Sequence, residues 1–499
     1  MAVTIPIRSA AAIATPGNLV ALPPEQGHAL QQAVATFRQQ SVTPERSFAF
    51  EQKVAEIYRE AGRVLLEHEY NRLEPAQRQD CPVRLRYLGQ EYKRRPKSRN
   101  QIGTLFGEIE LWRYLYEPIE AGERAIFPLE LQLGIAAGLA TPALAERVGF
   151  WSAEQEQEQV RTLLQEHGVS WSVASLRKVT ASLRDGLVPF REETQCAKLL
   201  EWLAKAAQSK GKHRPVLAAG RDGIHVPIRS DGYHEGATAT VSVLNRRGKR
   251  LGTIYLGQMP EAGQGTLSTQ LTSLLTKVLR QWHARGGKAP RLEYITDGGN
   301  HPKEYYQRVL RHLPDPWHAG QKMSWQWVVD FWHACAYVQH LATALFGEGA
   351  KAEQWFRKWR RWLRDRHQGV AQVLRSATWH HNNSRTLSKA KEELFGKGYR
   401  YLRKHAVWMQ YADYRRQGLQ IGRGVTEAAC KTVFAERLKR SGMTWAKEGG
   451  QVILDLRVLV LSGVWNETHQ AYLASRQQPT VEKPPSYRPG RGQILEYAA

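Results

Sequence analysis

Between Pro215 and Leu345 the hydrophobic pattern changes period in a fixed order, and this order limits the fold more than any other feature of the chain. Val216-Leu217-Ala218-Ala219 leads into Asp222 and continues as Ile224-His225-Val226-Pro227, which predicts a first strand. Thr238–Leu244 and Leu251–Leu256 predict two more, separated by the turn-forming run Asn245–Arg250. Leu271, Leu274, Leu275 and Val278 then share one face of a helix expected over Leu267–Ala284. A strand at Arg291–Thr296, a helix at Lys303–Leu313, a strand at Trp325–Val329 and a helix at His333–Leu345 complete the series. Antiparallel strands can follow one another through tight turns, whereas strands separated by helices pair in parallel. The pattern therefore predicts a mixed sheet flanked by helices.

Three strands, then helix, strand, helix, strand, helix is the element order of a ribonuclease-H-like core. Asp222 falls on the first strand, and Asp297 ends the fourth, ahead of Gly298-Gly299. In that topology the two strands are neighbours, so both carboxylates meet at one end of the sheet. Converging carboxylates repel unless a cation neutralises them, which points to hard divalent metal, Mg²⁺ or Mn²⁺, as a pair of ions. Glu427 follows the bend Gly422-Arg423-Gly424 and is the candidate third ligand. The local pattern equally suits an acidic residue that favours the positive end of a helix dipole. Asp330 and His333, three apart at a strand-to-helix junction, suit a helix cap or a phosphate-orienting pair at the catalytic edge.

With 71 Lys and Arg against 47 Asp and Glu, the chain carries +24, which favours a polyanionic partner. Its apolar stretches are too short and too interrupted to span a bilayer, so a cytoplasmic, nucleoid-associated location and no membrane partner are expected. Residues 1–45 read as a variable segment and 46–130 as a basic α+β module with Lys93, Arg94, Arg95, Lys97 and Arg99. Residues 131–190 read as a helical unit whose last helix carries Arg177 and Lys178, a pattern compatible with a DNA-reading helix-turn-helix and also with a helical spacer or dimerisation element. The core starts at 211–346, is interrupted by a helical insertion at 347–420, and resumes with final helices at 421–475 before a disordered tail at 476–499. Within the insertion, Trp355, Trp359 and Trp362 line one face of a helix that also carries Arg357, Lys358, Arg360, Arg361 and Arg364. That helix suits DNA contact through its basic side, with the tryptophans as wedges or as core.

The segments Arg221-Asp222-Gly223, Tyr294-Ile295-Thr296-Asp297-Gly298, Asp330-Phe331-Trp332-His333, Gly422 to Lys431, Ser441-Gly442-Met443-Thr444-Trp445 and Gly449-Gly450 resemble the ISKra-type bacterial insertion-sequence transposases. That family is similar to the Mutator and hAT groups. The resemblance implies an Asp-Asp-Glu catalytic domain, with Asp222, Asp297 and Glu427 as catalytic and metal-binding residues. It matches Asp330 and His333 to the Cys/Asp-x-x-His signature. It further implies binding of inverted-repeat element ends and target double-stranded DNA, metal-dependent cleavage and strand transfer, and a homodimer or larger assembly. The chain departs from the Cys-Pro-x-Cys pair expected in the amino-terminal module, because Cys81-Pro82 is followed by Val83-Arg84. Two other readings stay open: a metal-dependent nuclease that cuts without joining, and an inactive DNA-binding repressor derived from a transposase.

Overall fold

The computed structural model describes residues 22–39, 41–120, 122, 124–383, 387–422, 424–476, 481–482 and 494–497. The chain forms two compact units, one of residues 1–186 with 469–499 and one of residues 187–468. Among the described residues no helix is long and apolar enough to cross a membrane.

In the first unit, α1 (Pro24–Arg38) meets α2 (Pro44–Leu73) through stacked Phe37 and Phe50 rings, 4.3 Å apart. Pro44 starts α2 because Thr43 caps it, its hydroxyl accepting from the Arg46 N–H at 3.3 Å. Strands β1 (Arg84–Tyr87), β2 (Gln90–Thr104) and β3 (Gly107–Pro118) form an antiparallel ladder. The pairing of β2 with β3 slips between Arg94 and Lys97, on either side of Pro96, which has no N–H to give the ladder. The basic stretch Lys93–Arg99 is thus part of a strand. Part of the tail expected to be disordered is also ordered: Ile494–Tyr497 pairs in parallel with β1, and Val481–Glu482 pairs with Ile494–Tyr497. Residues 477–480, 483–493 and 498–499 of that tail, and residues 1–21 and 40 of the amino-terminal segment, lie outside the described residues.

Helices α3 (Pro128–Leu133), α4 (Pro142–Glu154), α5 (Gln157–Glu166) and α6 (Val173–Gln208) follow. Leu144, Val148, Val160, Leu164, Val169, Trp171 and Leu176 join α4, α5 and the start of α6 in one core. Ser172 caps α6 by accepting the Ser175 N–H at 3.1 Å. The boundary expected at residue 190 falls inside α6, whose apolar pattern runs on through Leu199, Leu200 and Leu203, all buried.

The second unit holds the mixed sheet. Strands β4 (Val216–Ile228), β5 (Gly232–Leu244), β6 (Arg250–Gln258), β7 (Arg291–Thr296) and β8 (Trp325–Val329) lie in the order β6-β5-β4-β7-β8. The first three pair antiparallel, and β4–β7 and β7–β8 pair parallel. Helices α7 (Gly265–Ala284), α8 (Asn300–Arg308) and α9 (Phe331–Phe346) make the connections predicted by the period changes. The fold is α/β, a central mixed sheet with flanking helices.

Helices α10 (Ala350–Asp365), α11 (Gly369–Asn382), α12 (Lys389–His405) and α13 (Tyr411–Gln417) form the predicted insertion. They pack back onto the sheet unit. In α10 the apolar stripe Trp355, Trp359 and Leu363 is buried, and Trp355 Nε1 donates to Ser376 Oγ of α11 at 3.3 Å. These tryptophans are core, and the arginines face solvent. Gly398 of α12 lets that helix approach α9 closely, since a Cβ there would lie 2.9 Å from the Tyr337 carbonyl oxygen. After α13 come α14 (Gly424–Ala429), a π-helical turn at Cys430–Ala435, α15 (Glu436–Leu438), α16 (Lys447–Leu461) and α17 (Trp465–Ser475).

Strand β7 is covered on both faces, as a central parallel strand must be, and it includes the fully buried Glu293. Burial pushes this carboxyl from its ordinary 4.5 up to about 8, so it is protonated at neutral pH. The unfolded chain ionises near 4.5 and the folded one only near 8. Stability is therefore lost as pH rises across that window and the loss is constant above it. Glu293→Gln is expected to leave stability nearly unchanged at pH 4 and to raise it by on the order of a few kcal/mol at pH 8. Urea unfolding at the two pH values checks this; an equal shift at both would contradict it.

Candidate active site

The parallel ladders set the candidate acids level with one another. Pairing of β4 with β7 runs from Val216 with Arg291 to Gly220 with Ile295. Asp222 and Asp297 each lie two residues beyond the last pair of that ladder, so they share a register position along the two strands. Pairing of β7 with β8 ends at Thr296 with Val329, and the next residue on each side is Asp297 and Asp330. The Asp330 N–H donates to the Thr296 carbonyl oxygen at 2.8 Å. Asp297 and Asp330 thus stand just past the ends of β7 and β8, and Asp222, midway along β4, lies two residues past its last pairing with β7, on the side of the sheet at which α/β folds place ligands.

Local hydrogen bonds fix each carboxylate. Asp222 Oδ1 accepts the Gly223 N–H at 3.0 Å, and Asp297 Oδ1 accepts the Gly299 N–H at 2.8 Å across a bend where Gly298 has φ +80°. Asp330, 2% exposed, caps α9 by accepting the His333 N–H at 2.6 Å. The cap and the strand-end position hold together in one residue. Asp222 and Asp297 are half-buried and Glu427 is exposed.

The neighbour of Glu427, Thr426, ties its helix to the sheet. The Thr426 and Thr240 hydroxyls share a hydrogen bond of 2.8 Å, which ties α14 to β5. Gly220, the β4 partner of Thr240, makes the approach feasible: a Cβ there would lie 2.1 Å from Thr426 Oγ1. Immediately after α14 the chain widens into the π turn, a feature frequent at functional sites. A further carboxylate that local pattern did not reveal is Glu235, which lies over Gly223; a Cβ there would sit 2.0 Å from Glu235 Oε1.

The insertion supports the Asp297 loop from behind. Tyr401 OH donates to the Asp297 carbonyl oxygen at 2.5 Å, and Tyr411 OH donates to the Val329 carbonyl oxygen at 2.8 Å. Tyr401 stacks on Tyr337 of α9 at 3.7 Å, and both rings flank His333, at 5.5 and 5.3 Å. His405 presents Nε2 toward Gly298, where a Cβ would lie 3.1 Å away. Its Nδ1 is 2.9 Å from the Tyr401 carbonyl oxygen, so Nδ1 carries the proton; burial lowers its pKa. Trp332, 61% exposed, stands beside the same edge against Gly422.

The basic candidates divide. In the first unit Lys93 is exposed, but Arg94 turns inward to the carbonyls of Arg78 and Cys81. Arg95 pairs with Glu117 at 2.5 Å and Arg99 with Glu110 at 3.1 Å, while Lys97 lies over the Tyr114 ring at 5.6 Å. Arg177 and Lys178 are exposed on α6, Arg177 bonding Gln157. In the second unit Arg357, Lys358, Arg360, Arg361 and Arg364 are all exposed on α10; Arg357 pairs with Glu353 and Arg364 with Asp365. Lys358 lies over Trp359 at 5.2 Å and Arg360 over Phe356 at 5.5 Å.

Among the described residues no group of three or more His, Cys, Asp or Glu side chains stands close enough together to hold a metal ion. Asp222, Asp297 and Glu427 are therefore not gathered into one three-ligand cage. The aspartate pair nonetheless offers the donor chemistry Mg²⁺ takes, one or two carboxylates with the other positions filled by water and substrate phosphate. No protein-family model matches the chain, and no curated protein is significantly similar to it.

Gly220→Ala is expected to cost roughly 1–3 kcal/mol, because the added methyl overlaps Thr426 Oγ1. Gly220→Ala with Thr426→Ala should recover part of that loss. Urea unfolding of the single and double variants is the check, and a single variant as stable as the parent would refute the close contact.

Proposed function

We propose that this protein is a DNA transposase of the Asp-Asp-Glu type, built on a ribonuclease-H-like core, that cuts at the inverted-repeat ends of an insertion sequence and joins them to target DNA. The observation that carries the reading is the level alignment of Asp222, Asp297 and Asp330 on three neighbouring parallel strands. The strand order β6-β5-β4-β7-β8 supports it, as do the motif residues and a charge of +24 suited to DNA phosphates.

In this reading Asp222 and Asp297 hold the divalent ions, Mg²⁺ or Mn²⁺. When bound, these supply activation of a water or 3′-hydroxyl nucleophile and stabilisation of the leaving oxygen at phosphorus. The chain's own part is geometric. Strand pairing sets the two carboxylates level, Gly299 orients Asp297, and Tyr401 holds the backbone of the Asp297 loop. Glu427, exposed on α14, is the third acid of this reading. The basic face of α10, together with the amino-terminal basic strand and α6, contacts DNA phosphates. A homodimer or larger assembly would hold two element ends at once.

Purified protein incubated with Mg²⁺ and separately labelled element-end and target duplexes tests the reading. Joined product is expected. Asp222→Asn and Asp297→Asn should each lower cutting by more than the roughly 10–100-fold typical of disturbing a residue that only orients a ligand, with DNA affinity retained. Cutting without joining would favour the nuclease, and end binding without cutting would favour the repressor. Cutting that persists in Asp297→Asn would place the chemistry elsewhere.

A further inference from the structure

The opposite end of the same sheet carries a cavity of a different character. It has a volume of about 870 Å³ and opens where β4 and β7 begin, between the last turns of α6, the β5–β6 turn and the end of α7. Six residues of strand separate each strand's start from Asp222 and Asp297, so the cavity lies roughly 20 Å from the carboxylates. Lys212, Arg214, Arg246, Arg285 and Lys288 line it with His213 and His318, and no Asp or Glu is among the described lining residues. The nearest acid in the hydrogen-bond network is Asp315, whose Oδ2 is 2.9 Å from His318 Nδ1.

Two indoles form the apolar walls, and both are fixed. Trp282 Nε1 donates to the Lys288 carbonyl oxygen at 3.0 Å, and Trp317 Nε1 donates to the Gly287 carbonyl oxygen at 2.8 Å. The turn between them lies flat on the Trp282 ring: a Cβ on Gly287 would fall 2.2 Å from Trp282 Cε2. On the other side Arg246 Nε donates to the His213 carbonyl oxygen at 3.1 Å, and the Arg246 N–H donates to Ser209 Oγ at 3.1 Å. The volume is that of a small-molecule site, roughly 300–1,000 Å³. Preset aromatic walls beside a one-signed cationic rim suit a ligand with a flat ring at one end and negative charge at the other.

We propose that this cavity binds a nucleoside phosphate, its base against Trp282 and Trp317 and its phosphate on Arg285 and Lys288. The ligand is either a free nucleotide or one nucleotide of an unpaired DNA strand, and binding does not depend on the carboxylate edge performing chemistry. Arg285 and Lys288 are exposed, so charge reversal there leaves the core untouched.

The test uses the full-length protein, with ATP and a fluorescein-labelled ten-residue oligothymidylate as probes. An abasic strand of the same length and charge serves as control. The Arg285→Glu/Lys288→Glu variant, with an unchanged melting temperature, is expected to bind at least one probe 10-fold or more weakly. Loss confined to the oligothymidylate identifies an unpaired strand as the source, and loss of ATP binding identifies a free nucleotide. Wild-type protein should prefer oligothymidylate to the abasic strand at least 5-fold if the strand is the source. The proposal is overturned if neither probe loses affinity in the variant, or if the strand-binding form does not distinguish the abasic control. Asp297→Ala should keep full probe affinity, which separates this site from the proposed cutting activity.

Discussion

The parallel pairing of β7, with β4 on one side and β8 on the other, sets the geometry on which the rest of the second unit depends. Parallel ladders carry no hairpin to adjust their register, so alignment is fixed by which side chains must be buried on each face. Every residue of β7 after Arg291 is buried, and a slip of one residue would turn Tyr294 and Ile295 to the wrong faces. The same constraint that buries these side chains therefore sets Asp222, Asp297 and Asp330 level. Burial on both faces also explains why Glu293, placed mid-strand, is held protonated: no solvated face is available to it.

The helical insertion is less separate than an interruption in sequence suggests. Tyr401 and Tyr411 donate to carbonyl oxygens at the ends of β7 and β8, and Gly398 brings α12 down onto α9. Carbonyl groups beyond a strand end have lost their ladder partners, and buried ones need donors. The insertion supplies two of them. The insertion that carries a solvated basic face on α10 thus also braces, through α12 and α13, the backbone on which the candidate acids stand.

Much of this was legible in the sequence, for local reasons. The five core strands, the helices between them and the Asp297 bend follow from hydrophobic period and from Gly298-Gly299. The amphipathic stripe of α10 was visible too, but the assignment of Trp355 and Trp359 to core, with Trp362 only half-buried, needed the packing of α10 against α9 and α11. Other features depend on residues far apart. Tyr401 meets Asp297 across more than a hundred residues, and nothing near Tyr401 announces it. Arg94 and Arg95 sit two positions apart from Pro96 or less, in a run that reads as a solvated basic patch. Their engagement with carbonyls and with Glu117 emerges only when β2 pairs with β3. The parallel partner of β1 comes from the other end of the chain, beyond the reach of any local pattern.

The π turn at Cys430–Ala435 has a consequence for how the Glu427 helix is aimed. A turn closed by i→i+5 bonds holds one residue more than an α turn, and one residue corresponds to about 100° of rotation. The widened turn acts as a phase offset. Thr426 is pinned to Thr240, while Ala429 ahead of the turn, Val433 and Phe434 within it and Leu438 beyond it pack into one core with Ile453 and Leu454. An uninterrupted α-helix would couple these two attachments rigidly, so that satisfying one would misalign the other. The extra residue lets Thr426 meet Thr240 while Ala429, Val433, Phe434 and Leu438 all face one shared core, so the azimuth of the Glu427 segment satisfies both attachments at once.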